Sequence, residues 1–562
     1  MLKFPAKAKT SFYLITATTG FAAAFNFHSL NPNFPAFSDD SLLLSSTFPE
    51  KIRTGINAVF RSSRAVTTIA LNVVDYKYSL HGLPLKSEEY RHTLSEVHVR
   101  SAKRILKLCE ANKGFYVKAG QFVAALRQVP NEYISILSSL QDQAVPCNFK
   151  DIKEVLIGNL GRDLSEIFLS FDEEPIAAAS IAQVHRALLK DGREVAIKVQ
   201  YPGLEYQMKL DTATMSFLSK SVAWFFPAYR FEWAVSEFAA AITLELDFIQ
   251  EARNSERTAH NFKNNKIVRV PHVFWELTTR QVLTMQFCTG HKVDDLEFLK
   301  KSGINPRKVA KALVEVFAEM IFIHGFLHGD PHPGNILVSP EAEGRSGFSL
   351  VLLDHGIYKQ LDETFRLDYC QLWKAVILLD SNKIQYLGDQ FGVGKYSRYF
   401  PLIFTGRTID SKSALGKGMS NEEKKKLKQE LKFLKMEDIS SFMESLPPDF
   451  VTILRADGLL RSLCSKLSAP QRVRLLVYGK YALYGLPPKL NPESDFMGMI
   501  VFSKFMTNLS YLQFWLHLEA LEVLSWMEET QQLFNKMLRQ FVVAADRFLV
   551  RICLSFPTIN PR

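Results

Sequence analysis
The run Val195-Ala196-Ile197-Lys198, the loop His328-Gly329-Asp330-Pro331-His332-Pro333-Gly334-Asn335 and the triplet Asp354-His355-Gly356 follow one another along this chain. Their order limits the fold more than composition does. Asp330 to Asn335 has the D-x-x-x-x-N spacing of a phosphotransfer catalytic loop, in which an Asp faces the attacking hydroxyl and an Asn carbonyl reaches around the same turn to a magnesium ion. Asp354 directly follows the apolar run Leu350 to Leu353, the place of the metal-binding Asp in such a site. Lys198 lies in the second of two β-prone runs, Ala182 to Leu189 and Glu194 to Gln200, whose connection Lys190-Asp191-Gly192-Arg193 predicts a hairpin through its Asp-Gly. From there it is available to the α- and β-phosphates of a nucleotide. Read alone, the loop also suits a metal-hydrolase site built on His328, Asp330 and His332, or a Pro-rich turn with buried histidines. Neither of those readings uses Lys198 or Asp354.

A phosphate loop of the form G-x-G-x-x-G-x-V belongs just before that hairpin. At this register the chain reads Ala177-Ala178-Ala179-Ser180-Ile181-Ala182-Gln183-Val184, with alanine at every glycine position. Alanine resists positive φ, and its methyl stands between backbone and phosphate, so nucleotide binding here departs from the usual backbone cradle.

Around these motifs the apolar spacing is mostly helical: from Ser87 to Leu140, from Trp233 to Phe262 as one long amphipathic helix, from Pro306 to Gly325, and beyond Thr364. A second hairpin is predicted from Val270 to Phe287. Lys118 and Gln121 share one face of a predicted helix, and Gly120 between them costs about 1 kcal/mol against Ala, which points to a close approach there. With 47% apolar and 22% charged residues the chain has ample material for cores, and at about 150 residues per domain its length predicts roughly three to four units. The net charge of +10 suits anionic partners such as nucleotides or acidic lipid surfaces, but it is too thinly spread for a nucleic-acid footprint. The 6 cysteines lie far apart without a CxxC pair and read as reduced thiols. No acid precedes Asp39, and Lys3, Lys7 and Lys9 lead into an uncharged stretch from Thr10 to Phe27, the pattern of a targeting sequence, a secretory signal or a marginal membrane anchor. Gly392-Val393-Gly394-Lys395 is not a P-loop, since Asp389 and Tyr396 stand where a Gly and a Ser or Thr are required. Lys424 to Lys426 follow a capping box at Ser420 to Glu423 and read as a solvated helix face. The stretch from Val501 to Phe556 is too often interrupted by charge to span a bilayer.

Together with Lys118-Ala119-Gly120-Gln121 upstream and Glu245-Leu246-Asp247-Phe248-Ile249-Gln250-Glu251 between, these motifs resemble the UbiB-like atypical kinase family, the aarF-domain-containing kinases, over about Ser87 to Leu379. The resemblance implies an α+β, two-lobed protein-kinase-like fold with a helical N-terminal extension and a helical C-terminal region. Its parts would be a mitochondrial targeting or membrane-anchor segment (1–38), the helical extension (39–145), an N-lobe (146–288), a C-lobe (289–400) and the helical C-terminal region (401–562). It implies a catalytic set of Asp330, Lys198 and Glu251, the last two as an ion pair. Ala177, Ala178, Ala179, Ser180, Val184 and Lys198 would face the nucleotide, and Asn335 and Asp354 would hold the metal. Glu245 and Asp247 would hold Lys118, which with Gln121 forms a regulatory helix folded over the acceptor side. His355 departs from the apolar residue the family places after the metal-binding Asp. The implied cofactors are ATP or ADP with Mg2+. The implied partners are the nucleotide and membrane lipid or quinone-pathway components, without nucleic acid and with the oligomeric state left open. The implied function is an ATPase or phosphotransferase acting on an unidentified acceptor, a lipid being one candidate, and supporting mitochondrial lipid, quinone or inner-membrane homeostasis. The alternative is a nucleotide-switched pseudokinase scaffold without phosphotransfer. The implied location is the mitochondrial inner membrane.

Overall fold
Along Glu194–Gln200 the side chains alternate between two different surroundings, as a strand requires. Val195, Ile197 and Val199 are completely buried among Ile152, Leu156, Phe168 and Phe274, each contributing about 1.5–3 kcal/mol of apolar burial. Ala196 packs on the opposite side with Phe248, Ala252 and Met285, and Lys198 projects to that same side. In this computed structural model the described residues are 48–487, apart from 85–86, 126–128, 143–145, 227–231, 341–346, 412–414, 417–418, 432–440 and 443–444, together with 501–516 apart from 504 and scattered positions to 538. The N-terminal segment 1–38 and most of the stretch beyond Val501 lie outside them.

The strands, in chain order, are β1 (Phe168–Phe171), β2 (Ala177–Ala178), β3 (Ala182–Leu189), β4 (Glu194–Gln200), β5 (Val268–Arg269), β6 (Val282–Gln286), β7 (His291–Lys292), β8 (Phe326–His328), β9 (Ile336–Pro340), β10 (Phe348–Leu352) and β11 (Tyr358–Gln360). One antiparallel sheet has the order β1-β3-β4-β6, with β2 on β3. A second has the order β5-β10-β9-β7, with β5 and β10 parallel, and β8 pairs with β11. The β3–β4 hairpin forms where Asp191-Gly192 predicts it: Gly192 adopts φ +83 and its amide donates to the Leu189 carbonyl at 2.9 Å.

The contacts divide the chain into two units. The first comprises 1–313, 326–360 and 435–468; the second comprises 314–325, 361–434 and 469–562. All eleven strands among the described residues belong to the first. So do the helices Phe48–Ser79, Glu88–Asn112, Phe115–Ala125 and Leu204–Phe225, the last of which the sequence reading passed over. A buried ion pair between Arg61 and Asp211, at 2.6 Å, ties the first of these helices to the last. Among the described residues the second unit is helical, with Phe322, Tyr369, Trp373, Phe404 and Tyr478 in ring contact. Its buried Arg366 donates to the Gly485 carbonyl at 2.9 Å and pairs with Glu363 at 2.6 Å.

Two sequence expectations are corrected here. The single helix from Trp233 to Phe262 is two helices, Glu232–Glu245 and Phe248–Asn261. The break arises because Gln200 Nε2 donates to the Leu246 carbonyl at 2.7 Å, while the Asp247 carboxylate caps the second helix by accepting from the amides of Ile249 and Gln250. The expected hairpin from Val270 to Phe287 is reduced to a single bridge between Val273 and Met285. A 3-10 turn at Trp275–Leu277 occupies its middle, and β5 pairs with β10 instead. No helix among the described residues is long and apolar enough to cross a membrane.

Candidate active site
Pairing within the first sheet sets the site's lysine. The β3–β4 register places Val184 opposite Lys198, and directly opposed residues of an antiparallel pair share a face. Lys198 Nζ donates to both Glu251 oxygens, at 2.7 and 2.9 Å, and lies 3.6 Å from Asp354 Oδ1. The break at Leu246 aims Glu245 and Glu251 at the same place: a Cβ built on Gly356 would stand 3.6 Å from Glu245 Cγ and 3.7 Å from Glu251 Oε2. Burial pushes Glu251 up to about 7 against the opposing pull of Lys198. Burial favours a neutral Lys198, but Asp354 and Glu251 outweigh it and hold the ammonium charged.

Lys118 arrives from the Phe115–Ala125 helix and pairs with Glu245 at 3.0 Å. The expectation that Asp247 also holds Lys118 is corrected, because its carboxylate caps the Phe248–Asn261 helix. Gln121 donates to the Leu140 carbonyl at 2.9 Å. Gly120 is where the close approach occurs: a Cβ there would overlap Leu140 Cδ1 and stand 3.1 Å from Cys109 Sγ.

The loop from His328 to Asn335 is shaped by its own histidines. His328 Nδ1 accepts from the Asp330 amide at 3.1 Å and His332 Nδ1 from the Gly334 amide at 3.2 Å, so both shape turns rather than converge with Asp330 on a metal. Among the described residues no three His, Cys, Asp or Glu side chains form a metal-holding group. Asn335 Nδ2 donates to the Asp330 carbonyl at 3.2 Å, leaving its amide oxygen available to a ligand. Asp354 accepts from the Gly356 amide at 3.0 Å, and its side chain remains 39% exposed, the most open carboxylate of the site. Burial works against its charge, but Lys198, the Gly356 amide and Lys118 hold it well below the usual carboxylate range. Asp330 is also lowered, with Lys118, Arg455 and His328 outweighing burial. The hard oxygen donors Asp354 and Asn335 fit magnesium, which prefers carboxylate and carbonyl oxygen.

His355 fills the place of the expected apolar residue as a hydrogen-bonded wedge. Its Nε2–H donates to the Leu352 carbonyl at 3.1 Å and its Nδ1 accepts from the Tyr358 hydroxyl at 3.0 Å. Burial pushes it down to about 3, so the imidazole is neutral. Asn254 donates to its carbonyl at 3.0 Å, linking the triplet to the Phe248–Asn261 helix.

The alanine run is a tight hairpin. Ala177 pairs with Val184 and Ala178 with Gln183; the Ala179 amide donates to the Ala182 carbonyl at 2.8 Å, with Ser180 in the turn. Tyr201 fastens it, its hydroxyl donating to the Ala179 carbonyl at 3.0 Å and its amide to the Ile181 carbonyl at 3.1 Å. Beneath it, buried Gln183 contacts His185 at 2.9 Å and accepts from the Cys147 amide at 2.7 Å.

The sequence reading missed Arg455. It sits on the Pro448–Lys466 helix, with Nη2 3.7 Å from Asp330 Oδ1 and its guanidinium 5.2 Å from the centroid of the Phe122 ring. No motif surrounds it, and its separation in sequence from the loop left no spacing to read.

Residues 139–387 match the family model described as the ABC1 atypical kinase-like domain. The chain is 40% identical over 413 residues to AarF domain-containing protein kinase 1 of Xenopus tropicalis, covering 73% of this chain and 78% of that protein. The Mus musculus protein of the same name is 39% identical over 406 residues, covering 72% and 77%. A probable serine/threonine-protein kinase, abkD of Dictyostelium discoideum, is 35% identical over 446 residues, covering 79% and 64%.

Proposed function
This chain belongs to the AarF domain-containing, ABC1 atypical kinase-like family, and from that premise we propose that it binds a magnesium nucleotide and hydrolyses ATP or passes its terminal phosphoryl group to an unidentified acceptor. The observation that carries this reading is the convergence of Lys198, Glu251, Asp330, Asn335 and Asp354 within one unit. Lys198, held by Glu251, meets the nucleotide phosphates. Asn335 and Asp354 would hold magnesium, which would offset the negative charge of the phosphates. Asp330 takes the proton of the attacking hydroxyl or water as that oxygen bonds to the terminal phosphorus and the bond to the ADP oxygen breaks. Lys118 covers the acceptor side, against Glu245.

Asp330→Asn is expected to keep nucleotide binding within about twofold and to lower phosphate release by about 10²-fold or more, the usual contribution of a positioned base. Binding would be read by thermal shift with ATP and ADP, and turnover by phosphate release. Unchanged turnover in the variant, or a wild-type chain that binds neither nucleotide, would overturn the reading. The hydrogen-bonded alanine hairpin favours a second reading, a nucleotide-switched scaffold: the Ala179 amide is committed to Ala182 instead of a phosphate. Magnesium-dependent nucleotide binding without phosphate release from the wild-type chain would select it.

For location, the acid-free N-terminus supports import into mitochondria, and the family resemblance adds work at the inner-membrane surface on lipid or quinone-pathway partners. Deleting residues 1–38 is expected to leave the chain outside mitochondria in cell fractionation. Unchanged import would contradict the assignment.

A further inference from the structure
Three cations approach the carboxylates of the site, and they differ in what they are bound to. Lys198 is held at 2.7 and 2.9 Å by Glu251, and Lys118 at 3.0 Å by Glu245. Arg455 is held more loosely: its Nη2 stands 3.7 Å from Asp330 Oδ1, beyond hydrogen-bond reach, and its buried Nε has no hydrogen-bond partner. His332, two residues past Asp330, caps a turn, its Nδ1 accepting from the Gly334 amide. A guanidinium with unused donors, 15% exposed, carries a desolvation cost that an oxyanion would offset, and its planar fork matches a phosphoryl group in two places at once.

The scaffold holding Arg455 is stiff. Its helix buries Phe450 and Ile453 completely and is tied at its start by Asp449 to Lys359, at 3.3 Å, and at its end by Lys466 to Asp294, at 3.1 Å. Thr452, one turn before Arg455, lies 3.7 Å from where a Cβ on Gly329 would stand, so the helix leans directly on the catalytic loop. The Phe122 ring, one turn after Lys118, lies 5.2 Å from the guanidinium and fixes its direction. All these residues belong to the first unit.

We propose that Arg455 is a phosphoryl-oxygen clamp, binding an oxyanion beside Asp330. This inference rests on the nucleotide-binding reading above and deepens it. The oxyanion has two possible sources with the same chemistry: the terminal phosphoryl of ATP, or an anionic group of the acceptor.

The test uses the full chain and its Arg455→Met and Arg455→Lys variants; Met retains an apolar stem over Phe122. Affinities are measured for ADP and for a non-hydrolysable ATP analogue, both with magnesium, and for inorganic phosphate added to the analogue complex. In Arg455→Met, ADP affinity should stay within about twofold. A fall of about tenfold or more in the preference for the ATP analogue over ADP assigns the clamp to the terminal phosphoryl. An unchanged preference with loss of inorganic phosphate binding to the analogue complex assigns it to the acceptor's anion. Arg455→Lys should show the same change with a smaller factor, since charge is kept and the fork is lost, and it carries the test if the Met variant does not fold. Retention of both the preference and phosphate binding overturns the inference while leaving the nucleotide reading intact. A wild-type chain that binds neither nucleotide overturns both.

Discussion

Lys198→Ala is expected to weaken nucleotide binding by about 10²-fold or more, whereas Lys118→Ala leaves it within a few-fold. Both lysines sit among carboxylates, so charge count alone would not separate them. Their positions do. Lys198 is on β4 opposite Val184 of the alanine hairpin and 3.6 Å from the open Asp354, on the side where phosphates and metal meet. Its removal also leaves Glu251, with a side chain 1% exposed, buried without its cation. Lys118 reaches the site from the N-terminal helical layer and ends on Glu245. Burial pushes Glu245 up against the pull of Lys118, as it pushes Glu251 up against Lys198, which eases the loss of either lysine, so the separation rests on position. Removing one partner of a buried pair otherwise costs about 3–5 kcal/mol. The check is nucleotide affinity by calorimetry for both variants, beside urea unfolding to confirm that each is folded. Equal loss in the two variants would defeat the separation of a phosphate side from an acceptor side.

This separation also shows which parts of the protein were legible in its sequence. Motifs whose chemistry is local in sequence could be read: the β3–β4 hairpin from Asp191-Gly192, Lys198 on its strand, Asp330 with Asn335 across one turn, and the close approach at Gly120. What escaped depended on partners distant in sequence. The helix from Trp233 to Phe262 keeps its apolar period through Leu246 and Asp247. Only Gln200, on a strand laid beside it, captures the Leu246 carbonyl and breaks it. Asp247 belongs to a motif in sequence, yet its carboxylate caps a helix that begins at the next residue. His355 looked like a departure from an apolar position, but Tyr358 and the Leu352 carbonyl satisfy both ring nitrogens and make it equivalent to one. Arg455 depends wholly on the Pro448–Lys466 helix returning to the catalytic loop, which no local pattern encodes.

The second large effect is expected at the metal position. Asp354→Asn should remove the magnesium-dependent part of nucleotide stabilisation while preserving the fold around it. The substitution is nearly isosteric, and an Asn oxygen can still accept from the Gly356 amide, which Asp354 Oδ1 takes at 3.0 Å. The negative charge is lost, however, and a dication held by one carboxylate and one amide oxygen has little affinity once that carboxylate is neutral. Lys198 loses a neighbour at 3.6 Å but keeps both oxygens of Glu251, so nucleotide binding without magnesium should be close to that of the wild-type chain. The measurement is the rise in unfolding temperature with saturating ATP, with and without magnesium, since a ligand that binds only the native state stabilises it in proportion to RT ln(1 + [L]/Kd). His332→Ala is the counter-variant: a hydrolase-type metal site would lose its magnesium response there, whereas a histidine that only receives the Gly334 amide should leave the response in place. Persistence of the magnesium increment in Asp354→Asn, or its disappearance in His332→Ala alone, would show that the metal is held elsewhere in the loop.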